Sequence, residues 1–173
     1  MLFDSSPSIL KPNDIVRAFT NKSPEELQLP QRAIITFNIG DVKAILKNAH
    51  QKPIKAWQSF RSLFRVANSE TIITKCFFGG PNIAALVEEL SAFGVREFVL
   101  WGYCGGISDE ISIGNLLIAR RALRNDGVSY HYLNNKDDFV YSSWFLKWRK
   151  AAITSGIIPS TIWSCDAIYR ETK

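Results

Sequence analysis

Residues 98–119 read FVLWGYCGGISDEISIGNLLIA, and the change of composition inside this stretch decides the fold. The first four residues are apolar like a buried strand, and Gly102, Gly105 and Gly106 follow them at once. In open α/β sheets ligands bind beyond the carboxyl ends of the strands. Glycine also lets a ligand approach main-chain N–H groups without a Cβ in the way. The stretch therefore predicts a strand that ends in a candidate binding loop.

Apolar runs and helical patterns alternate on both sides of this loop. We predict strands at 33–37, 71–78, 96–101, 115–124 (bent near its middle) and 157–165, and helices at 40–50, 82–94 and 137–156. The helix at 82–94 has Pro81 in its first turn and Gly94 as its C-terminal stop. The order of strand, helix, strand, helix and strand predicts an α/β fold with a largely parallel sheet.

The length of 173 residues suits one domain. Residues 1–31 are rich in Ser, Pro, Asn and Lys, with isolated apolar side chains. This composition favours an N-terminal arm or extended lead-in over a packed element. We therefore expect an arm at 1–31 and a single domain at 32–173.

The composition is that of a globular protein, with 46% hydrophobic, 12% aromatic and 21% charged residues. The net charge of +5 comes from 21 basic and 16 acidic residues, which form no sustained run. Such scattered charge predicts no nucleic-acid partner. The densest basic cluster, KWRK at 147–150, is interpreted as the solvated end of a helix.

The three cysteines, Cys76, Cys104 and Cys165, lie in or beside apolar runs rather than at disulfide or metal-ligand spacing. This placement predicts reduced thiols, no metal site and a cytoplasmic location. The first residues lack the pattern of a secretory signal, and no apolar run approaches the ~18 residues that span a membrane. We therefore expect a soluble protein with no membrane partner.

Two glycine-rich places follow predicted strands, Gly79-Gly80 and 102–106, and two common phosphate motifs fit neither of them. The sequence has no G-x-G-x-x-G dinucleotide fingerprint after a strand and no G-K-[ST] of a P-loop. The glycines are equally compatible with tight turns that bind nothing. Residues 102–106 also fit G-x-C-x-G, a nucleophile elbow with Cys104 as the thiol. That elbow needs a following helix and a base, for which His50 and His131 are the only histidines.

Two longer segments carry a resemblance to a known family. They are FFGGPNIAALVEELSAFGVREFVLWGYCGG with the residues that follow it, and IWSCDAIYRET near the end. The chain resembles, over roughly residues 30–172, the nucleoside phosphorylases of the purine and uridine type, and most closely the uridine phosphorylase-like branch. The resemblance implies a three-layer α/β/α fold with a mixed, largely parallel sheet. It also implies that the family's C-terminal portion, with its ribose-binding Glu-Met-Glu segment, is absent.

The resemblance implies phosphate-dependent cleavage of the N-glycosidic bond of a uridine or purine ribonucleoside. The products would be the free base and ribose 1-phosphate, with inorganic phosphate as co-substrate, no cofactor, and a homo-oligomer (dimer or hexamer) as the assembly. By position, the phosphate and ribose site would be formed by Gly40, Lys43, Tyr103, Cys104 and Gly105, and the base site by Ile168, Tyr169, Arg170 and Glu171. No catalytic residue is assigned, since the Glu-Met-Glu segment is absent.

The chain also departs from the family pattern. Leu100 stands where the family usually carries a phosphate-binding arginine, and Tyr103 replaces a small hydroxyl residue. Arg61 or Arg65 would be the arginine that the family lends across its dimer. These departures leave two alternatives open: a nucleosidase that uses water in place of phosphate, and a catalytically silent binding or structural relative.

Overall fold

The computed structural model describes residues 3–46, 53–58, 60–134 and 136–171. Contacts within the chain define two compact units, which are treated separately below. The first unit is Ser6–Tyr103, and the second is Cys104–Lys173 together with Met1–Ser5. The division into an arm at 1–31 and a domain at 32–173 stays a prediction.

The first unit is built on a four-stranded sheet in which the first strand is central. The strands are β1 (Arg32–Thr36), β2 (Leu63–Arg65), β3 (Thr71–Lys75) and β4 (Glu97–Trp101), in the order β2-β3-β1-β4. Strands β3 and β4 run parallel to β1, and β2 pairs antiparallel with β3. The helices α2 (Ile39–Leu46) and α3 (Gly80–Ala92) follow β1 and β3.

The register places three strand ends at one level. Thr36 pairs with Lys75 on one side and with Trp101 on the other. The carboxyl ends of β1, β3 and β4 therefore share one edge of the sheet, which we call the carboxyl edge. Beyond it lie the two glycine-rich places that the sequence analysis singled out.

The core of this unit lies between the sheet and its helices. Its fully buried side chains include Ile35, Ile72, Trp57, Leu86 and Leu90. Trp57 contacts Phe93 edge to face, with ring centroids 5.0 Å apart.

The predicted boundaries of α3 are nearly correct. Pro81 lies in its first turn, where a missing N–H costs no helical hydrogen bond. Gly94 has φ of 107° directly after the helix. A Cβ there would also lie 3.3 Å from the carbonyl oxygen of Leu29, so both conformation and space favour glycine.

Two other predicted elements of the first unit are shorter than expected. Strand β3 ends at Lys75 rather than at 78, and Phe77 and Phe78 lie exposed in the loop that follows. Helix α2 ends at Leu46 within the described residues, and positions 47–50 of the predicted helix lie outside them.

The prediction of an extended lead-in is wrong for residues Pro12–Thr20, which form helix α1. Pro12 occupies its first turn, and Asn21 ends it in the left-handed conformation with φ of 53°. Val16 is fully buried in the core, and the Phe19 ring stacks on Phe60 with centroids 5.0 Å apart. The helix is strongly amphipathic, so its sequence carries a helical period that the overall composition of residues 1–31 conceals.

The second unit has a three-stranded sheet. Its strands are β5 (Leu117–Leu123), β6 (Phe139–Tyr141) and β7 (Ile158–Trp163), in the order β6-β5-β7. Strand β7 is parallel to β5 and β6 is antiparallel to it. The pairing of β5 with β7 shifts register between Ala119 and Arg121, an irregularity of the kind that accompanies a bent strand. Helix α4 (Ser129–Tyr132) follows β5, and α5 (Ser143–Thr154) follows β6.

The predicted helix at 137–156 is wrong in its first third. Residues Phe139–Tyr141 form strand β6, and α5 begins only at Ser143. The Ser142 hydroxyl accepts a hydrogen bond from the Phe145 N–H and so caps the helix. The consecutive residues Phe139, Val140 and Tyr141 favour a strand, and the helix begins only after the Ser142 cap.

None of the helices that the structure describes has the length and apolar character needed to cross a membrane.

Arg61, one of the two arginines considered for the site, forms an ion pair inside the first unit. Arg61 Nε donates to Glu89 Oε2 at 2.7 Å, and Arg61 Nη2 donates to Glu89 Oε1 at 3.2 Å. Glu89 is buried on α3, and the guanidinium also lies 5.0 Å from the centre of the Phe60 ring. Arg61 therefore joins α3 to the segment before β2 within its own chain.

Substitution of Glu89 tests how far this pair holds the first unit together. Because Glu89→Gln leaves a partly buried guanidinium without its counter-charge, we expect it to lower the free energy of unfolding by about 1–3 kcal/mol. The matched control is Glu97→Gln, since Glu97 bonds to an exposed Arg32 at 2.9 Å and such pairs contribute about 0–1 kcal/mol. Urea unfolding measures both variants. Equal losses would show that the Arg61 pair is no more important than a surface ion pair.

Candidate functional site

A chain of hydrogen bonds crosses the carboxyl edge. The hydroxyl of Thr36, the last residue of β1, donates to Asp41 Oδ2 at 2.8 Å. The Tyr103 hydroxyl, just beyond β4, donates to Asp41 Oδ1 at 2.9 Å. Asp41 lies in the first turn of α2. One carboxylate thus connects the ends of two neighbouring strands with the start of a helix.

The Tyr103 hydroxyl keeps its proton and donates it in a hydrogen bond to Asp41. The hydrogen bond to Asp41, and then the negative charge of that carboxylate, raise the pKa of Tyr103 above its usual value. The side chain is 76% exposed. It therefore stays neutral at physiological pH and is not packed into the core.

Two of the predicted phosphate-binding residues lie on α2. The Gly40 N–H donates to Asn38 Oδ1 at 2.7 Å, so a side chain of the same loop already satisfies it. Lys43 is exposed on the helix surface. The structure thus joins Tyr103 to Asp41 in the first turn of α2, the helix that also carries Gly40 and Lys43.

Gly102 is required by packing. A Cβ at this position would lie 2.9 Å from Cδ2 of the Phe37 ring, closer than side-chain atoms approach each other. The same ring stacks on Phe78 with centroids 5.8 Å apart and an interplanar angle of 9°. Here the glycine makes room for an aromatic side chain of the chain itself.

No packing contact among the described residues requires a glycine at position 105. Within the described residues, a Cβ added there meets no atom within 4 Å, and its main chain is not in the left-handed conformation. Residues 102–110 are all exposed. The structure gives the N–H groups of Cys104, Gly105 and Gly106 no hydrogen-bond partner among the residues it describes. These amides are available to a ligand.

The loop does not form the thiol elbow that its sequence permits. No helix follows Cys104 before β5, although residues 102–116 are all described. Of the two histidines, His131 lies in α4, and His50 lies outside the described residues.

The predicted base-binding residues belong to the second unit. The main chain of Ile168–Arg170 forms a 3-10 turn in which the Arg170 N–H donates to the Ala167 carbonyl at 2.7 Å. The side chains of Tyr169, Arg170 and Glu171 are exposed, Tyr169 by 92%. This segment therefore presents its polar groups to solvent.

The loop after β5 is tied to the segment that precedes this turn. Asp166 Oδ2 accepts a hydrogen bond from the Gly127 N–H at 2.6 Å, and Asn125 Oδ1 accepts one from Trp163 Nε1 at 3.4 Å. A Cβ at Gly127 would lie 3.3 Å from the same Asp166 oxygen. The short contact and the glycine together fix where the segment leaves β7.

Asp126 and Arg124 order the same loop. Asp126 Oδ1 accepts hydrogen bonds from the Val128 and Ser129 N–H groups at 2.8 and 2.7 Å. Partial burial acts to raise the pKa of Asp126, but these hydrogen bonds and the charge of Arg124 outweigh it and hold the pKa below its usual value. Arg124 is buried, and its Nη2 donates to the carbonyl oxygens of Ser129 and Leu133 at 3.2 and 3.0 Å.

The sequence analysis did not assign a role at the site to Asp41, Asp126 or Asp166. Asp41 had a signal, since it follows a strand by a few residues and opens a helix. The ends of parallel strands converge, so a polar residue at that position faces the neighbouring loops. The partners of Asp126 and Asp166 had no local signal.

Comparison with known protein families shows to which family the chain belongs. The sequence model of the phosphorylase superfamily matches residues 31–173, most of the chain. The chain belongs to the phosphorylase superfamily. This confirms the resemblance on which the site residues were assigned.

Individual relatives agree with this assignment. Uridine phosphorylase of Salmonella typhimurium is 32% identical over 114 residues, which are 62% of this chain and 43% of that protein. Guanosine phosphorylase of Halorubrum lacusprofundi is 29% identical over 110 residues, which are 62% of this chain and 46% of that protein. The chain thus spans less than half the length of these relatives.

A solved structure shows the same fold. Uridine phosphorylase from Vibrio fischeri ES114 superimposes with a TM-score of 0.70 and 19% sequence identity, covering 96% of this chain and 69% of that one. The predicted fold class, an α/β fold with a mixed, largely parallel sheet, is confirmed.

The two glycines of this phosphorylase-superfamily loop have separable roles. We expect Gly102→Ala to lower the free energy of unfolding by about 1–3 kcal/mol, because the new Cβ overlaps the Phe37 ring. We expect Gly105→Ala to change it by less than about 0.5 kcal/mol, since the position is open. Thermal and urea unfolding compare the two variants. Equal destabilisation would contradict the distinction between a packing glycine and an open one.

Proposed function

We propose that this chain is part of an enzyme that transfers the sugar of a ribonucleoside from its base to inorganic phosphate. The bond between C1′ and the base nitrogen breaks, and a bond between C1′ and a phosphate oxygen forms. The base leaves with the bonding pair and takes up a proton, and the sugar leaves as ribose 1-phosphate. The observation that carries the proposal is the superfamily match over residues 31–173, which includes the exposed amides after Tyr103.

The residues of the carboxyl edge suit the demands of this reaction. The sugar gains positive charge in the transition state, so the enzyme needs chiefly to hold an anion and the nucleoside in line. The N–H groups of Cys104 and Gly105 and the charge of Lys43 are the proposed phosphate and ribose contacts. No further cofactor is needed, because phosphate is itself the nucleophile.

The base is proposed to contact Ile168, Tyr169, Arg170 and Glu171. An exposed aromatic ring and a guanidinium provide a flat face and hydrogen-bond donors for a nucleobase. The relatives include both uridine and guanosine phosphorylases, so the proposal extends to uridine and purine ribonucleosides.

A second function, hydrolysis of the same bond by water, is favoured by one observation. Leu100 takes the place of a guanidinium and is half exposed at the end of β4. The loss of a bidentate phosphate contact weakens an anion site without impairing one for water.

We further propose that the chain acts as a homo-oligomer in the cytoplasm. The three cysteines are free thiols, as a reducing compartment maintains them. Exposed apolar residues on β4, namely Val99, Leu100 and Trp101, offer a surface that association would cover.

Release of free base tests the proposed function directly. The chain is incubated with uridine, guanosine, adenosine and inosine, with and without phosphate, and base and sugar products are separated by chromatography. The proposal predicts base release that requires phosphate and yields ribose 1-phosphate. Equal release without phosphate would establish the hydrolytic alternative. Saturable nucleoside binding without turnover would establish a silent relative.

Lys43 offers a matched pair of variants for the same assay. We expect Lys43→Gln to lower kcat/KM for phosphate about tenfold, since one positive charge near a phosphate is worth on the order of 1 kcal/mol at a surface. Lys11→Gln removes another exposed charge, next to α1, and serves as the control. Equal losses in both variants would contradict the assignment of Lys43.

A further inference from the structure

The segment that leaves β7 is joined to the loop after β5 by a hydrogen bond to a carboxylate. Asp166 Oδ2 accepts the N–H of Gly127 at 2.6 Å, and both residues belong to the second unit. Among the residues that the structure describes, the other hydrogen bonds of residues 165–170 join members of that segment to each other. The turn Ile168–Arg170 therefore depends on Asp166 for its place in the unit.

The loop that Asp166 contacts is itself held by several interactions. Arg124 is buried, and its guanidinium donates to the carbonyl oxygens of Ser129 and Leu133 at 3.2 and 3.0 Å. The Tyr130 ring centre lies 4.3 Å from the guanidinium carbon, and the Tyr130 hydroxyl donates to the Arg124 carbonyl at 2.9 Å. A loop with these internal contacts gives Asp166 a fixed point of attachment.

A fixed attachment matters because the side chains of the turn are exposed. Tyr169 is 92% exposed, and Arg170 is exposed beside it. If their main chain were free, a ligand would have to order it on binding, and ordering one residue lowers the affinity by about tenfold. A turn that is already in place avoids this loss.

We propose that Asp166 is a positioning residue for base recognition, which holds the turn Ile168–Arg170 ready for a nucleobase through its hydrogen bond to Gly127. This inference rests on the proposed function for the identity of the ligand. The carboxylate acts through the main chain of the turn, and the side chains of Tyr169 and Arg170 are the groups that meet the base.

Gly127 belongs to the same device. A Cβ at this position would lie 3.3 Å from Asp166 Oδ2, so any larger residue presses on the carboxylate. The main chain of Gly127 is not in the left-handed conformation, and alanine is therefore compatible with its backbone. The effect of Gly127→Ala should then pass through Asp166.

Removing the carboxylate tests its positioning role. Uridine and inosine are titrated separately into the full chain by calorimetry. Asp166→Ala is expected to weaken nucleoside binding about tenfold, because the turn is no longer ordered beforehand. Asp166→Asn keeps an acceptor oxygen for the Gly127 N–H and should lose less than about threefold. The control is Asp138→Ala, which removes an exposed carboxylate just before β6 and should change the affinity by less than about twofold.

A double-mutant cycle separates positioning from a general loss of structure. Gly127→Ala alone should weaken nucleoside binding about threefold, since its Cβ displaces the carboxylate. Added to Asp166→Ala it should have no further effect, because the group through which it acts is gone. Gly127→Ala keeps every polar group of the chain, and it carries the test if Asp166→Ala does not fold.

A measurement without ligand examines the turn itself. Amide relaxation is recorded by NMR on the isotope-labelled chain. Asp166→Ala should increase the motion of the Tyr169 and Arg170 amides and leave those of α5 unchanged. The melting temperature should fall by less than about 3 °C, since the carboxylate is exposed.

Several results would overturn the proposal. They are an unchanged motion of the turn in Asp166→Ala, a loss of nucleoside affinity in Asp166→Asn as large as in Asp166→Ala, an equal loss in Asp138→Ala, or independent losses that multiply in the double variant. The proposed function fails separately. A turn that becomes mobile in Asp166→Ala, in a chain that binds neither nucleoside, would overturn the assignment of the base site and leave Asp166 as the residue that orders the turn.

Discussion

The parallel pairing of β1 with a strand on each side is the constraint on which the site depends. Thr36 is level with Lys75 and Trp101, so the loops after three strands start from one edge. A shift of one residue in this register would turn every side chain of β1 to the opposite face. Thr36 would then no longer meet Asp41, and Ile35 would leave the core. Packing and site geometry are thus fixed by the same pairing.

This edge explains why the chain uses glycines in the loop after β4, and the reasons differ between positions. Gly102 accommodates the Phe37 ring, which in turn stacks on Phe78 beyond β3. At Gly105 a Cβ would contact no atom of the described residues, so packing does not require a glycine there. The main-chain amides beside it are exposed beyond the carboxyl end of a strand, where ligands of parallel sheets bind. The polar chain from Thr36 through Asp41 to Tyr103 then sets the charge at that place. Side-chain packing shapes this edge, and one carboxylate joins two of its strand ends to the start of α2.

Much of the fold is readable from the sequence because its signals are local. The β-branched run of β1 and the Gly79, Pro81 and Gly94 markers of α3 determine those elements within a few residues of themselves. Helix α1 was missed because the Ser, Pro, Asn and Lys content of residues 1–31 outweighed the amphipathic pattern of Pro12–Thr20. Strand β6 was missed because its three residues adjoin a long helical pattern, and the boundary depends on a single serine cap.

The candidate site was less predictable, since its contacts join distant parts of the chain. Tyr103 and Asp41 lie 62 positions apart, and Arg61 and Glu89 lie 28 apart. No local pattern reveals that an arginine is bound within its own chain, or that a tyrosine holds a carboxylate. The superfamily resemblance predicts a site at these loops, but the pairings of the charged groups within them are seen only in the three-dimensional structure.

The central claim is that the exposed amides after Tyr103 form the floor of a nucleoside site. An NMR titration of the isotope-labelled chain with a ribonucleoside follows each amide by itself. The account predicts that the amide signals of Cys104, Gly105 and Gly106 shift on saturation, while that of Gly156, which is exposed after α5, stays in place. Unchanged signals from the loop, with binding detected elsewhere in the chain, would contradict it.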